Sequence, residues 1–228
     1  MNITKLIHPE GWRFVAIFAA ISILISLASQ FGGWIGAILT VWCFYFFRNP
    51  KRTTPLRPGL VVSPADGKIV MIKEMVPPAE FELGTEMFTR ISIFLNVFDV
   101  HINRIPMDGL VKKVIYHPGR FFNASLDKAS EHNERNSIVM TTTFGDLAFV
   151  QIAGLIARRI RCDVNTGDDV IAGSQYGLIR FGSRMDVFIP KSINPLVCVG
   201  QRVIAGESIL ADFTSDEPAR QGHIVEAI

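Results

Sequence analysis

The stretch from Phe14 to Phe47 carries no charged side chain, and this constrains the chain before anything else does. As one straight helix it would run about 51 Å, well past the ~30 Å of a bilayer's hydrocarbon core. Gln30-Phe31-Gly32-Gly33 interrupts it near the middle, so two apolar helices are expected, roughly 14–29 and 33–47, joined by a very short turn. Each falls somewhat short of the ~20 residues of a full span, which leaves open whether the hairpin crosses the membrane or dips into it. Lys5 and Arg13 lie before the hairpin, Arg48, Lys51, Arg52 and Arg57 follow it, and its tip carries no charge. The preference of basic residues for the cytoplasmic side then places both ends in the cytoplasm. The basic cluster serves either as a plain stop-transfer flank or as an attraction to anionic lipid of about 1 kcal/mol per residue. A secretory signal peptide would use Lys5 and Arg13 as its basic start and Ser26-Leu27-Ala28 as its cleavage site. The second apolar run and the basic cluster behind it argue against that.

With 228 residues, the chain has room for this hairpin and one medium domain. We therefore divide it into an anchor, 1–48, and a folded domain, 49–228. A net charge of +2 without a basic stripe interleaved with aromatics gives no footprint for nucleic acid. Cys43, Cys162 and Cys198 form no CxxC or Cys/His spacing, so no metal site is expected and all three read as reduced packing residues. Pro50, Pro55, Pro58 and Gly59 mark a linker. Beyond it, short runs rich in Val, Ile and Phe alternate with Gly, Pro and Asp turns, which predicts strands over Lys68–Ile72, Arg90–Val97, Val111–Ile115, Ile138–Thr143, Leu147–Ile152, Ile156–Val164 and Met185–Ile189. Ser125–Arg135 is polar and suits either a helix or a mobile loop over a site. One internal repeat stands out: Gly167-Asp168-Asp169-Val170-Ile171-Ala172-Gly173 against Gly200-Gln201-Arg202-Val203-Ile204-Ala205-Gly206. The expected fold is therefore mainly β, a barrel-sandwich domain similar to a lipoyl or biotinyl carrier, preceded by the helical hairpin. Two plain β-hairpins would give the same repeat.

Between the two repeat units stands Gly182-Ser183, flanked by the apolar runs Leu178–Phe181 and Val187–Ile189. Most Gly-Ser pairs are simply turns. A Gly-Ser peptide can also break itself, because glycine permits strained dihedrals and leaves its carbonyl unshielded. A serine hydroxyl relieved of its proton can attack that carbonyl, and elimination from the ester leaves a pyruvoyl group at the start of the new chain. Two further segments could complete such a site. They are Ser63-Pro64-Ala65-Asp66-Gly67 and Phe98-Asp99-Val100-His101-Ile102-Asn103-Arg104. Read alone, His101 is a core or strand-end histidine and Asp66 a turn residue before Gly67.

These segments, with Phe181-Gly182-Ser183, Tyr116-His117-Pro118-Gly119-Arg120-Phe121 and Asn133-Glu134-Arg135-Asn136, resemble the phosphatidylserine decarboxylase proenzymes, in particular their short form. The likeness runs from about Asn49 to Phe213. It implies self-cleavage between Gly182 and Ser183 into chains 1–182 and 183–228 that stay associated, with a covalent pyruvoyl cofactor made from Ser183. It implies Ser183 as nucleophile, His101 as its base and Asp66 as the group that orients the imidazole. Phosphatidylserine would then form a Schiff base with the pyruvoyl carbonyl, lose carbon dioxide into an electron sink like that of pyridoxal phosphate, and leave as phosphatidylethanolamine. The expected setting is the cytoplasmic face of the cell membrane, with membrane lipid as the partner and a homo-oligomer compatible with it.

One departure from the family matters. Its long-form members carry a second histidine three residues before the position of His101, and here that residue is Phe98. The proton donor for decarboxylation falls to His101 itself or to His117, which precedes Pro118-Gly119; His8, His132 and His223 have no supporting context. Arg90, Arg104, Arg135 and Arg184 are candidates for gripping the lipid's phosphate or carboxylate. Two other readings compete. A membrane adaptor using the β domain as a docking module would fit the hairpin and the repeat but leave Gly182-Ser183, Asp66 and His101 without a joint purpose. A serine hydrolase would need a Gly-x-Ser-x-Gly elbow, which Ser183 lacks.

Overall fold

The computed structural model describes residues 6–119, 133–154, 159–180 and 182–223. The uncharged run forms α1 (Pro9–Ala28) and α2 (Gln30–Phe46). Proline at the first helical position needs no N–H partner there, and the His8 ring accepts the Glu10 N–H, closing the helix start. The break falls at Ser29, not at the glycines expected to make it. Ser29 is extended; its N–H donates to Ile25 O at 2.9 Å, ending α1, and its Oγ accepts from Gly32 N at 3.2 Å, starting α2. One residue thus caps both helices, and Gly32 and Gly33 are left free to serve as packing positions in α2. The helices return antiparallel, with Gly36 against Ser22 and the Ser22 and Thr40 hydroxyls 3.1 Å apart. At 20 residues α1 is long and apolar enough to cross a membrane, whereas α2 is shorter.

The remainder is β. In chain order the strands are β1 (Leu60–Val62), β2 (Gly67–Met75), β3 (Phe88–Leu95), β4 (Ile102–Arg104), β5 (Gly109–His117), β6 (Arg135–Thr142), β7 (Gly145–Ala153), β8 (Ile160–Cys162), β9 (Asp169–Val170), β10 (Gln175–Ile179), β11 (Ser183–Pro190), β12 (Arg202–Val203) and β13 (Ile209–Asp212). Eight of them make one curled antiparallel sheet in the order β12-β2-β3-β11-β7-β6-β5-β9, while β4-β10-β8 and β1-β13 form two smaller sheets. Six of the seven expected strands are present over most of their length. Of the seventh, Ile156–Val164, the described part holds β8, and most of Ser125–Arg135 lies outside the described residues, with Arg135 opening β6.

The repeat read from the sequence has a clear placement. Its two short strands, β9 and β12, are the two outer strands of the large sheet. The glycines match in backbone, with φ of +94° and +95° at Gly167 and Gly200, and +78° and +75° at Gly173 and Gly206. A second repeat becomes visible only in three dimensions. Pro64-Ala65-Asp66-Gly67 leads into β2 and Pro106-Met107-Asp108-Gly109 leads into β5, and the two exchange backbone bonds: Arg104 N to Pro64 O at 2.9 Å, Val62 N to Pro106 O at 2.8 Å. Asp66 Oδ1 accepts from Ala205 N at 2.8 Å, and Asp108 Oδ1 accepts from Ala172 N at 2.7 Å. Each aspartate therefore ties its turn to one repeat unit.

Alternation along the strands decides what the sheet presents on each face. On β11, Met185, Val187 and Ile189 enter the main core with Ile91, Ile93, Leu95, Phe149 and Tyr176, while Phe188 packs with Phe81, Phe88 and Val150 on the other side. Gly109 enters its strand where a Cβ would run into the carbonyl oxygen of Thr141 across the β5–β6 ladder. Gly109→Ala should therefore destabilise the fold by about 1–3 kcal/mol through overpacking. The thermal midpoint in detergent should fall by several degrees; an unchanged midpoint would show that the ladder yields at this point.

Candidate active site

Gly182 is where the chain passes from the small sheet to the large one. Its φ of +70° suits glycine and carries strain for other residues. Ser183 then opens β11 in the middle of the large sheet, in register with Leu95 of β3 and Ala153 of β7. It shares the core-side parity of Met185, and its hydroxyl is fully buried without a hydrogen-bond partner among the described residues. A buried unpartnered hydroxyl forfeits about 1–3 kcal/mol, so its retention here calls for a role.

His101 supplies the neighbouring group. The loop Asn96–Val100 between β3 and β4 presents it; within that loop Asp99 Oδ2 accepts from Asn96 N at 2.9 Å, and Asp99 Oδ1 accepts from Arg202. Gly182 N–H donates to His101 Nε2 at 3.2 Å, and His101 Nδ1 lies 3.0 Å from the Asp99 carbonyl oxygen. A carbonyl can only accept, so Nδ1 carries the proton and Nε2 keeps its lone pair, which accepts the Gly182 N–H. Burial is the main reason the imidazole pKa falls to about 4. The Asp99 carbonyl and charge oppose the fall, and Arg48 adds to it. The ring is thus neutral at physiological pH and has the tautomer a base needs.

The structure brings His101 to Gly182, the residue before Ser183, and gives Asp66 other direct partners. The Asp66 carboxylate is held by Arg52 at 2.6 Å and by the Ala205 N–H, and the group on His101 Nδ1 is a backbone carbonyl. Burial raises the Asp66 pKa and the Asp99 charge adds to the rise, against the pull of Ala205 and Arg52, so the two carboxylates feel each other. His117 ends β5, three strands from β11 and so about 14 Å away across the sheet. Its Nε2 lies 2.7 Å from Glu80, and register places it on the face opposite Ser183.

The four candidate arginines are also engaged elsewhere. Arg184 is fully buried in a two-point pair with Asp186, both contacts 2.8 Å, on the face away from the Ser183 hydroxyl. Arg104 donates to the Gly173 and Pro50 carbonyls, Arg135 lies 3.7 Å from Glu80, and Arg90 is buried beside Met71. A cavity of about 510 Å³ on that far face, lined by Arg90, Arg135, Asp186 and Phe188, is separated from Ser183 by the sheet itself. Nearer the loop that presents His101 is an open cleft of about 660 Å³ lined by Tyr45, Arg48, Asp66, Asn96, Asp99 and Arg202. Arg48 and Arg202 were not singled out from sequence as ligands of this loop. The only signal they gave was membership in the basic flank and in the repeat.

Comparison with known proteins places the chain. The sequence model of the family described as phosphatidylserine decarboxylase matches residues 39–211. A phosphatidylserine decarboxylase proenzyme of Cereibacter sphaeroides is 54% identical over 219 residues, 96% of this chain and 94% of that protein. Proenzymes of the same name from Ruegeria pomeroyi and Rhodospirillum rubrum are each 55% identical, the first over 92% of this chain and 96% of its own length, the second over 95% and 92%. The chain belongs to the phosphatidylserine decarboxylase family.

The twin turns allow the role of Asp66 to be isolated. Asp66→Ala and Asp108→Ala remove equivalent turn ties, each at a cost of about 1 kcal/mol, and Asp66→Ala also releases Arg52, so Arg52→Ala serves as the control for that loss. If Asp66 also serves the site, only Asp66→Ala should stop cleavage after Gly182, while Asp108→Ala is cut as fast as the unaltered chain. Equal processing of the two variants on a denaturing gel would reduce Asp66 to a turn residue.

Proposed function

We propose that this chain is made as an inactive precursor, cuts itself between Gly182 and Ser183, and then decarboxylates phosphatidylserine to phosphatidylethanolamine. The observation that carries the reading is a neutral, buried His101 whose unprotonated Nε2 accepts the N–H of Gly182, the residue before a buried Ser183 whose hydroxyl has no partner among the described residues. His101 takes the hydroxyl proton as Ser183 Oγ adds to the Gly182 carbonyl. The C–N bond breaks and a C–O bond forms, so the peptide becomes an ester. Removal of the Ser183 Cα proton then expels the Gly182 carboxylate and leaves a dehydroalanine, which takes up water, loses ammonia and ends as a pyruvoyl group.

That group supplies an electrophilic carbonyl and a sink for the electron pair left by departing carbon dioxide. The residues present fit it: the side chain that must become the group is buried, unpaired and beside a neutral imidazole, and nothing lies within 4 Å of where a Cβ on Gly182 would sit. A docking module would have no use for such a hydroxyl. Asp66 acts on the imidazole through the polar cluster it shares with Asp99, and proton return to the product falls to His101, since His117 is engaged across the sheet.

The position of the cut supports continued association of the two chains. The 183–228 chain would begin with β11, clamped between β3 and β7 of the longer chain, and its β12 and β13 pair with β2 and β1. We read the hairpin as the anchor at the cytoplasmic face, with the serine headgroup entering through the cleft beside Arg48 and Arg202. The finer fold assignment, a carrier-like barrel-sandwich, rests on the two glycine-turn units at the sheet's outer strands. Ser183→Ala should leave a single uncut chain that releases no carbon dioxide from phosphatidylserine vesicles, and His101→Ala should slow cutting by a factor of at least about 100. Full activity in an uncut Ser183→Ala chain would overturn the proposal.

A further inference from the structure

The sequence suggests that the hairpin is a detachable anchor and that a chain lacking residues 1–47 would still cut itself. The contacts around His101 indicate otherwise. Phe46, in the last turn of α2, is 1% exposed, and its ring centroid lies 4.3 Å from that of His101 at a 32° tilt. It is held there by Phe47 and Trp42, and it packs in one cluster with Ile7, Cys43 and Leu178 of β10. Just beyond α2, the Arg48 guanidinium lies over the Tyr45 ring at 3.8 Å and donates to the Phe98 carbonyl at 2.8 Å, gripping the loop that presents His101. Asn49 bonds Gln175 of β10, and Glu10 pairs with Arg161 at 2.7 Å.

We infer that the end of the hairpin is a working part of the catalytic site: Phe46 roofs His101 and Arg48 holds its loop, so that self-cleavage depends on the hairpin being seated against the β domain. Both are positioning residues, since they act through His101. The inference rests on the reading of His101 as the base. Asp99 of its own loop and Gly182, just before β11, also contact the imidazole. The charged groups facing it are Arg48 and Asp99, the latter held by Arg202 of β12.

The roof has a specific consequence. Burial is the main cause that lowers the His101 pKa to about 4, and Phe46 supplies part of that burial. Opening the roof admits water and lets the pKa climb back towards its ordinary value. Because the base works only when neutral, cleavage by the unaltered chain should be flat across the mildly acidic range, and cleavage without the roof should fall as the pH drops.

The test follows full-length precursor, made cell-free into phosphatidylcholine–phosphatidylglycerol vesicles, with cutting timed on denaturing gels. Between about pH 7.5 and 5.5 the unaltered chain should change rate by less than about twofold. Phe46→Ala should be slower at the upper value and a further ~10-fold slower at the lower one, where an imidazole of ordinary pKa is about nine-tenths protonated. Phe46→Leu, which keeps an apolar cover, should restore the flat profile.

If Phe46→Ala loses its protease-resistant core, Arg48→Ala decides. Partly exposed, it should keep the core and cut roughly 3–10-fold more slowly, an effect comparable to losing one ordinary hydrogen bond. Unaltered rates and a flat profile in the folded Phe46→Ala chain, or an unaltered rate in Arg48→Ala, would overturn the inference. Normal cutting by His101→Ala would instead remove the base on which it rests, while blocked cutting by His101→Ala alone would leave that base and discard the roof.

Discussion

The hydrogen bond from the Gly182 N–H to His101 Nε2 is the contact on which the rest of the site depends. It can form only if Nε2 is unprotonated, which requires the proton on Nδ1 and an acceptor there, supplied by the Asp99 carbonyl. It also requires a neutral ring, which burial enforces. The same burial removes water from the Ser183 hydroxyl, whose chain neighbour Gly182 donates its N–H to the imidazole. Low basicity is the cost of this arrangement. A histidine held far below its usual pKa is a weak base.

The sheet around this contact resolves a difficulty that self-cleavage would otherwise create. A cut in a surface loop is easily accommodated but places the new end in water. A cut in a strand risks losing the strand. On the proposed reading the cut would fall at the first residue of β11, which is paired on both sides from Ser183 to Phe188, so the new terminus would stay in the core while the ladder holds it. The two Pro-x-Asp-Gly turns and the two glycine repeat units place this strand near the centre of a curled sheet whose outer strands are equivalent. The hairpin docks on the same end of the sheet and closes the site with the ring of Phe46.

How much of this was legible in the sequence varies with the kind of interaction. Strand alternation is local, and six of the seven expected strands appear over most of their length. The hairpin was legible for the same reason, but its break was misplaced: Gly32 and Gly33 suggested the turn, whereas the capping hydroxyl of Ser29 makes it. The glycine repeat was visible because like residues recur at one spacing. The Pro-x-Asp-Gly repeat shares only three residues, too few to mark it in the sequence, and is revealed by its backbone bonds. Gly182 and His101 stand in motifs legible in the sequence, and the two are hydrogen-bonded. The acceptor on Nδ1 was not foreseeable, because a backbone carbonyl has no sequence signature, and neither was Phe46, one of many aromatics in an apolar run whose contact with His101 is set by how the hairpin docks. Arg184 looked like an anion ligand until the sheet buried it against Asp186.

The central claim is that Ser183 is consumed in making the first group of a new chain, with His101 as base. The most direct measurement is the intact mass of the chain beginning at residue 183, taken from purified, active protein before and after borohydride reduction. The account predicts a mass lighter by one ammonia than a chain starting with serine, and a gain of two hydrogens on reduction, as a keto group requires. A chain of the mass expected for an ordinary serine terminus, unaffected by borohydride, or a single uncut chain in fully active protein, would contradict it.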